Sequence, residues 1–150
     1  MSAFPEFPDF KTIELADREI FQNIFELYMP EASEWTFANL FIWRSHYNYQ
    51  WSLYKDWLVV TGRNEHSSLY ALQPIGPASR KEVVLRLFEW MKKEAKVSLP
   101  RIERADERLI KELNGVGYIS IAEAREHFDY VYLRDELARL AGNKYRSKRN

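Results

Sequence analysis

The order of helix and strand patterns along this sequence predicts a mixed α/β domain, in which helices cover the faces of a sheet. Segments with the 3.6-residue period of helices alternate along the chain with segments that have the two-residue period of strands. The centre also carries a hairpin signal. Alternating aromatic and polar residues run from Tyr47 to Leu53, Lys55 and Asp56 form the turn, and Trp57 begins a return strand that Gly62 closes. The predicted order is β-α-α-β-β-β-α-β-α-β-β.

The first predicted elements are a short strand and two helices. Phe10 to Leu15 reads as the strand, and Asp17 is placed to cap a helix whose apolar face ends at Tyr28. Pro30 follows as a stop signal. Ser33 is the expected cap of the second helix.

After the hairpin, the predicted elements again alternate. Ser68 to Leu72 reads as a strand, and Ser79 with Glu82 has the spacing of a capping box before an apolar stripe that ends at Met91. A short strand around Ile102 and a helix capped by Asp106 follow.

The last third of the chain predicts two strands and one helix. Tyr118 to Ile121 and Phe128 to Leu133 are strand-like, and a helix from Arg134 to Ala141 is expected to stop at Gly142.

The composition narrows the classes of function. The chain has 22 Lys and Arg against 22 Asp and Glu, so any nucleic-acid contact must come from a local patch. Without cysteine there is no disulfide, thiolate catalysis or cysteine-bound zinc, and the scattered histidines predict no metal site. No apolar run approaches the roughly 20 residues of a membrane span, and no signal peptide is evident. We therefore expect a cytoplasmic domain, without stable membrane insertion, whose contact with a membrane would be peripheral.

The same element order is found in the GNAT superfamily of acyltransferases, and four segments make the resemblance more specific. They span residues 33–43, 73–76, 128–132 and 144–150. The chain resembles bacterial proteins related to the C-terminal domain of phosphatidylglycerol lysyltransferase, which carry two GNAT-like domains in tandem. The resemblance covers residues 1–150 as the first of these domains. It implies that the basic segment 143–150 leads into a second domain, which this sequence lacks because it is naturally short or truncated.

This resemblance implies transfer of an aminoacyl or acyl group to an amine or hydroxyl acceptor, including a lipid head group. The implied donors are aminoacyl-tRNA or acyl-CoA, and the implied partners are the second GNAT-like domain, tRNA and anionic lipid. A half-domain of this kind is expected to be inactive alone. Its dense aromatic belt, which includes Trp43 and Trp57, would pack in the core or lie exposed and favour a homodimer. The alternative is a binding or scaffold domain without catalysis.

One loop matches the pattern by which GNAT enzymes hold the pyrophosphate of coenzyme A. Its matching residues are Gln73, Gly76 and Ala78. Such a cradle needs free backbone N–H groups, and Pro74 and Pro77 each remove one. The loop is therefore predicted to be a degenerate phosphate loop that serves as a rigid turn.

The strongest cluster of positive charge is at the C-terminal end. Lys144, Arg146, Lys148 and Arg149 surround Tyr145, so this segment could hold phosphates and stack on a base. The alternative is a solvated tail.

No catalytic residue stands out. Glu123, Glu126 and Asp129 are the carboxylates near the predicted sheet edge, and His127 lies two residues before Asp129. Nothing in the pattern selects one of them as the general base that acyl transfer to an amine requires.

Overall fold

The structure, a computed structural model, describes residues 4–63 and 68–148. Its five-stranded sheet has the spatial order β1-β2-β3-β4-β5. The strands are β1 (Lys11–Thr12), β2 (Gln50–Tyr54), β3 (Trp57–Gly62), β4 (Tyr70–Leu72) and β5 (Ile102–Glu103). Neighbouring strands are antiparallel except for β4 and β5, which are parallel. The α-helices are α1 (Arg18–Tyr28), α2 (Phe37–Trp43), α3 (Lys81–Lys93), α4 (Glu107–Glu112) and α5 (Arg134–Arg139).

Helices pack on both faces of the sheet, because alternate residues of β3 point in opposite directions. Leu58 and Val60 belong to the core cluster that contains Phe21 of α1. Val59 belongs to the opposite cluster, with Leu87 of α3. The predicted mixed α/β class is therefore confirmed.

The central hairpin is confirmed, with a shorter first strand than predicted. Tyr54 pairs with Trp57 across a turn in which Lys55 has a φ of 53°. The first strand begins at Gln50 rather than Tyr47, because Asn48 has a φ of 47° and bends the chain before it. Most of the aromatic belt packs in the core, although Trp43 is half exposed.

Two capping predictions were wrong in the same way, since each side chain binds elsewhere. Ser33 binds Asp129, and Thr36 caps α2 by accepting from the Asn39 N–H at 3.1 Å. Asp17 precedes α1 without a capping bond, and its carboxylate accepts from the buried Trp51 Nε1 at 2.9 Å.

The predicted capping box of α3 does not form either. The Ser79 hydroxyl accepts only from the Lys81 N–H, at 3.3 Å, while Glu82 faces the hairpin and binds Lys55 and the Tyr54 hydroxyl. By contrast, the cap of α4 is confirmed, because Asp106 accepts from the Leu109 N–H at 2.9 Å.

The two strands predicted near the end of the chain are absent from the described residues. Residues 118–133 contain one short 3-10 helix, Arg125–His127, and are otherwise without regular structure. A strand needs a neighbouring strand to bind its N–H and C=O groups, and no strand in the described chain pairs with this segment. The sheet therefore ends at β5. The last helix ends at Arg139, where Leu140 takes the left-handed conformation (φ 48°) two residues before Gly142.

Candidate functional site

The loop after β4 borders a groove of about 250 Å³, which the end of α1 and the residues of α4 complete. The groove has an apolar side from the α1 end and a polar side from α4. Its lining residues are Leu27, Tyr28, Pro30, Gln73, Ile75, Gly76, Ala78, Arg80, Arg108 and Glu112. All three loop residues that the sequence motif selected therefore line the groove.

Gln73 ties the end of β4 to the start of α4. Its side chain is fully buried. The Gln73 amide donates to Asp106 Oδ2 at 3.1 Å, and the Asp106 N–H donates to Gln73 Oε1 at 2.9 Å. Because both ends of the amide are bound to protein, Gln73 holds two elements together rather than offering a donor to a ligand.

Gly76 is required where the loop passes over the hairpin. A Cβ at this position would lie 2.5 Å from Trp57 Cδ1 and 2.7 Å from the Asp56 carbonyl oxygen. The Trp57 Nε1–H also donates to the Pro77 carbonyl at 2.9 Å. The loop is thus fixed to the β2–β3 turn.

The loop offers few free N–H groups to a phosphate. Pro74 and Pro77 have none, and the Ile75 N–H donates to the Leu58 carbonyl at 3.0 Å. Within the described chain, the N–H groups of Gly76 and Ala78 make no hydrogen bond to protein. Two donors are a small set for a pyrophosphate, which favours the rigid-turn interpretation.

The cations of the groove are already neutralised. Arg80 donates to Glu112 Oε1 at 2.7 Å from its guanidinium and to Oε2 at 2.6 Å from its backbone N–H. Arg108 pairs with Asp106 at 3.4 Å and with Glu31 at 3.7 Å. Two guanidinium groups thus face three carboxylates, and the groove carries no surplus positive charge for an anion.

The groove carboxylates are ionised and poor proton acceptors. Burial alone would raise the pKa of Asp106, but hydrogen bonds from Leu109 and Gln73 and the nearby arginines outweigh it and lower the pKa. Burial likewise opposes ionisation of Glu112, and the Arg80 hydrogen bonds lower the pKa of that carboxyl. A general base at neutral pH needs a pKa near 7, so neither group suits that role.

The basic segment is partly folded onto the domain. Asn143–Lys148 forms a 3-10 helix in which Tyr145 is only 6% exposed. The Tyr145 hydroxyl and the Lys144 ammonium both lie 3.2 Å from Glu136 of α5. Tyr145 therefore packs against protein, and its ring is not presented for stacking.

Two cations of this segment face solvent. Arg146 and Lys148 are exposed and make no ion pair within the described residues. Arg149 lies outside the described residues. Arg146 and Lys148 are therefore the segment's best candidates for an external anion.

The remaining candidates are dispersed. Glu123, Glu126 and His127 are exposed, and Asp129 accepts from Ser33 Oγ at 2.5 Å. No group of acidic or histidine side chains in the described ranges could hold a metal ion. These four candidates thus lie outside the lining of the groove.

Sequence reasoning missed the ionic network of the groove. Asp106 was recognised only as a helix cap, while Arg80, Arg108 and Glu112 gave no signal. Arg80 and Glu112 are 32 residues apart, and no helical or strand period connects positions so distant.

A solved structure has the same fold. It is titled as a conserved protein of unknown function from Bacteroides thetaiotaomicron VPI-5482, and its sequence is 29% identical, with a TM-score of 0.80. The match covers 93% of this chain but 47% of that protein, so the chain spans about half the length of its structural relative. No curated protein matches the sequence.

Among the described residues, no helix is long and apolar enough to cross a lipid bilayer. The family model for the C-terminal region of phosphatidylglycerol lysyltransferase matches residues 25–150. That match includes the groove and the basic segment, and the chain belongs to the family of phosphatidylglycerol lysyltransferase C-terminal domains.

Proposed function

We propose that this chain is one half of an aminoacyl- or acyltransferase, which moves its group to an amine or hydroxyl acceptor such as a lipid head group. The family match over residues 25–150 is the observation that carries the proposal. The second GNAT-like domain expected from the sequence would supply the rest of the site.

Between the two implied donors we favour aminoacyl-tRNA, because the groove is a poor match for the pyrophosphate of coenzyme A. Its loop has two prolines, and its arginines are held by Glu112, Asp106 and Glu31. A coenzyme A pyrophosphate would have to compete with these carboxylates for the guanidinium groups.

The exposed cations of the basic segment supply the unpaired positive charge that the groove lacks. Arg146 and Lys148 carry charge without a partner in the described chain, which suits the phosphodiester groups of tRNA or of an anionic lipid. The basic segment would attract the phosphate groups of the substrate by charge, and the groove would hold part of the substrate by its shape.

The isolated chain should be inactive, because the two partly buried carboxyls at the groove are unsuited to act as a base and no histidine of the described residues lines the groove. Asp106 and Glu112 have lowered pKa values, and His46 packs against Trp43 and Tyr47. A base and an oxyanion donor would have to come from elsewhere.

The test is a transfer assay with labelled lysyl-tRNA or acetyl-CoA and vesicles that contain phosphatidylglycerol. We compare the 150-residue chain with the longest protein that its gene encodes. Transfer of lysine by the longer protein alone is the expected result. A longer protein that binds neither donor in isothermal titration and transfers nothing would overturn the proposal.

A scaffold without catalysis is the second candidate. The observation in its favour is the Gln73–Asp106 tie, which converts the motif glutamine into a structural contact. This candidate predicts binding of tRNA or lipid without transfer, so the same assay separates the two functions.

A further inference from the structure

Residues 128–133 have the sequence pattern of a strand, and their apolar side chains are exposed. The backbone is extended at both ends, with φ and ψ of −75° and 130° at Phe128 and of −69° and 132° at Leu133. Tyr130 and Val131 point in opposite directions along an extended chain, yet each is 88% exposed. The described residues therefore leave both sides of the segment uncovered at its centre.

The backbone at the centre of this segment also lacks partners among the described residues. Within the described chain, no backbone hydrogen bond involves residues 129–132. Tyr and Val favour strands because their side chains pack well on a pleated surface. An extended segment that has both free backbone groups and exposed apolar side chains is a template for pairing with another strand.

The segment is nevertheless held at defined points. Asp129 accepts from the Ser33 N–H at 2.8 Å and from its hydroxyl at 2.5 Å. Tyr132 lies against Tyr145, with ring centroids 6.3 Å apart, and Lys144 lies over the Tyr132 ring. These contacts fix where the segment runs while leaving Tyr130 and Val131 free for a partner.

The length of the structural relative indicates what the partner is. The Bacteroides protein shares this fold at a TM-score of 0.80, and this chain covers 47% of it. The Bacteroides protein therefore contains about as many residues again outside the shared part. We infer that residues 128–133 form a strand that pairs with a strand of this additional half and buries Tyr130 and Val131 against it. The inference concerns assembly and holds whether or not the protein transfers a group.

The test compares hydrogen exchange in the 150-residue chain and in the longest protein that its gene encodes. Amides 129–133 should exchange about tenfold or more slowly in the longer protein and freely in the 150-residue chain. Equal exchange in both would overturn the inference, as would a gene that encodes no residues besides these 150.

A substitution separates pairing with the additional half from self-association. Val131→Asp should leave the Tm of the 150-residue chain unchanged, because Val131 is exposed there, and should lower the Tm of the longer protein by several degrees. Leu99→Asp is the matched control, because it also replaces an exposed apolar side chain with a carboxylate outside the segment, and it should change neither. Protection of amides 129–133 that appears in the 150-residue chain and is lost on dilution would show that a second copy is the partner, and would overturn the inference.

Discussion

Arg80 holds Glu112 through its backbone N–H and its guanidinium together, at 2.6 Å and 2.7 Å. The contact joins the residue before α3 to the last residue of α4. Arg80 is buried, and Asp106 lies 3.7 Å from its guanidinium as a weaker second partner. The geometry of the groove depends on this pair, since it fixes the end of the 73–78 loop against α4.

Removal of the carboxylate should therefore destabilise the domain. Glu112→Ala leaves a buried guanidinium with only the distant Asp106, and we expect a loss of about 2 kcal/mol of unfolding free energy in urea denaturation. Glu107→Ala is the matched control on the same helix, because its side chain is 90% exposed, and it should change stability little. An equal loss in both variants would contradict the importance of the pair.

The lowered pKa values of Asp106 and Glu112 predict a loss of stability in acid. A carboxyl whose pKa is lower in the folded state stabilises fully above its unfolded pKa of about 4, and loses this contribution as the pH falls through the folded value. The urea midpoint should thus be level near pH 7 and fall below about pH 4.5. Glu112→Gln should reduce stability at neutral pH and should make the fall of the urea midpoint in acid shallower. An unchanged fall would contradict the role of Glu112 in the acid dependence.

Gly76→Ala should strain the loop, because the new methyl group would meet the Trp57 ring at 2.5 Å and a backbone oxygen at 2.7 Å. We expect a loss of about 1–3 kcal/mol and a changed Trp57 fluorescence. Gly117→Ala is the control, since no atom lies within 4 Å of the Cβ it would add. Equal stability of the two variants would show that the loop can move away from Trp57.

The exposed cations of the basic segment should determine anion binding. Arg146→Ala with Lys148→Ala should weaken binding to phosphatidylglycerol vesicles about 30-fold at low salt, at roughly 1 kcal/mol for each charge. Vesicle flotation measures this. Lys81→Ala with Lys92→Ala removes the same charge from exposed positions of α3 and should have a smaller effect. Equal effects would mean that net charge alone determines binding.

Sequence patterns correctly predicted the elements that a short segment of the chain specifies by itself. The Lys55–Asp56 hairpin turn, the stripe from Val83 to Met91 and the Asp106 cap were all confirmed, because the pattern that specifies each lies within one short segment of the chain. The cap predictions for Ser33, Asp17 and Glu82 were wrong because distant groups bind these side chains instead, namely Asp129, Trp51 and Lys55. The groove network could not be predicted, because its charges meet only after the sheet has formed.

The sequence by itself determined the mixed α/β class, the central hairpin and the family, since these follow from periodicity and short motifs. Only the tertiary structure decided that Gln73 binds Asp106, that Arg80 forms an ion pair with Glu112, and that Tyr145 is buried. It also decided that residues 128–133 pair with no strand among the described residues. A local pattern specifies which backbone conformation a segment favours, but its hydrogen bonds and ion pairs depend on which groups the fold places beside it.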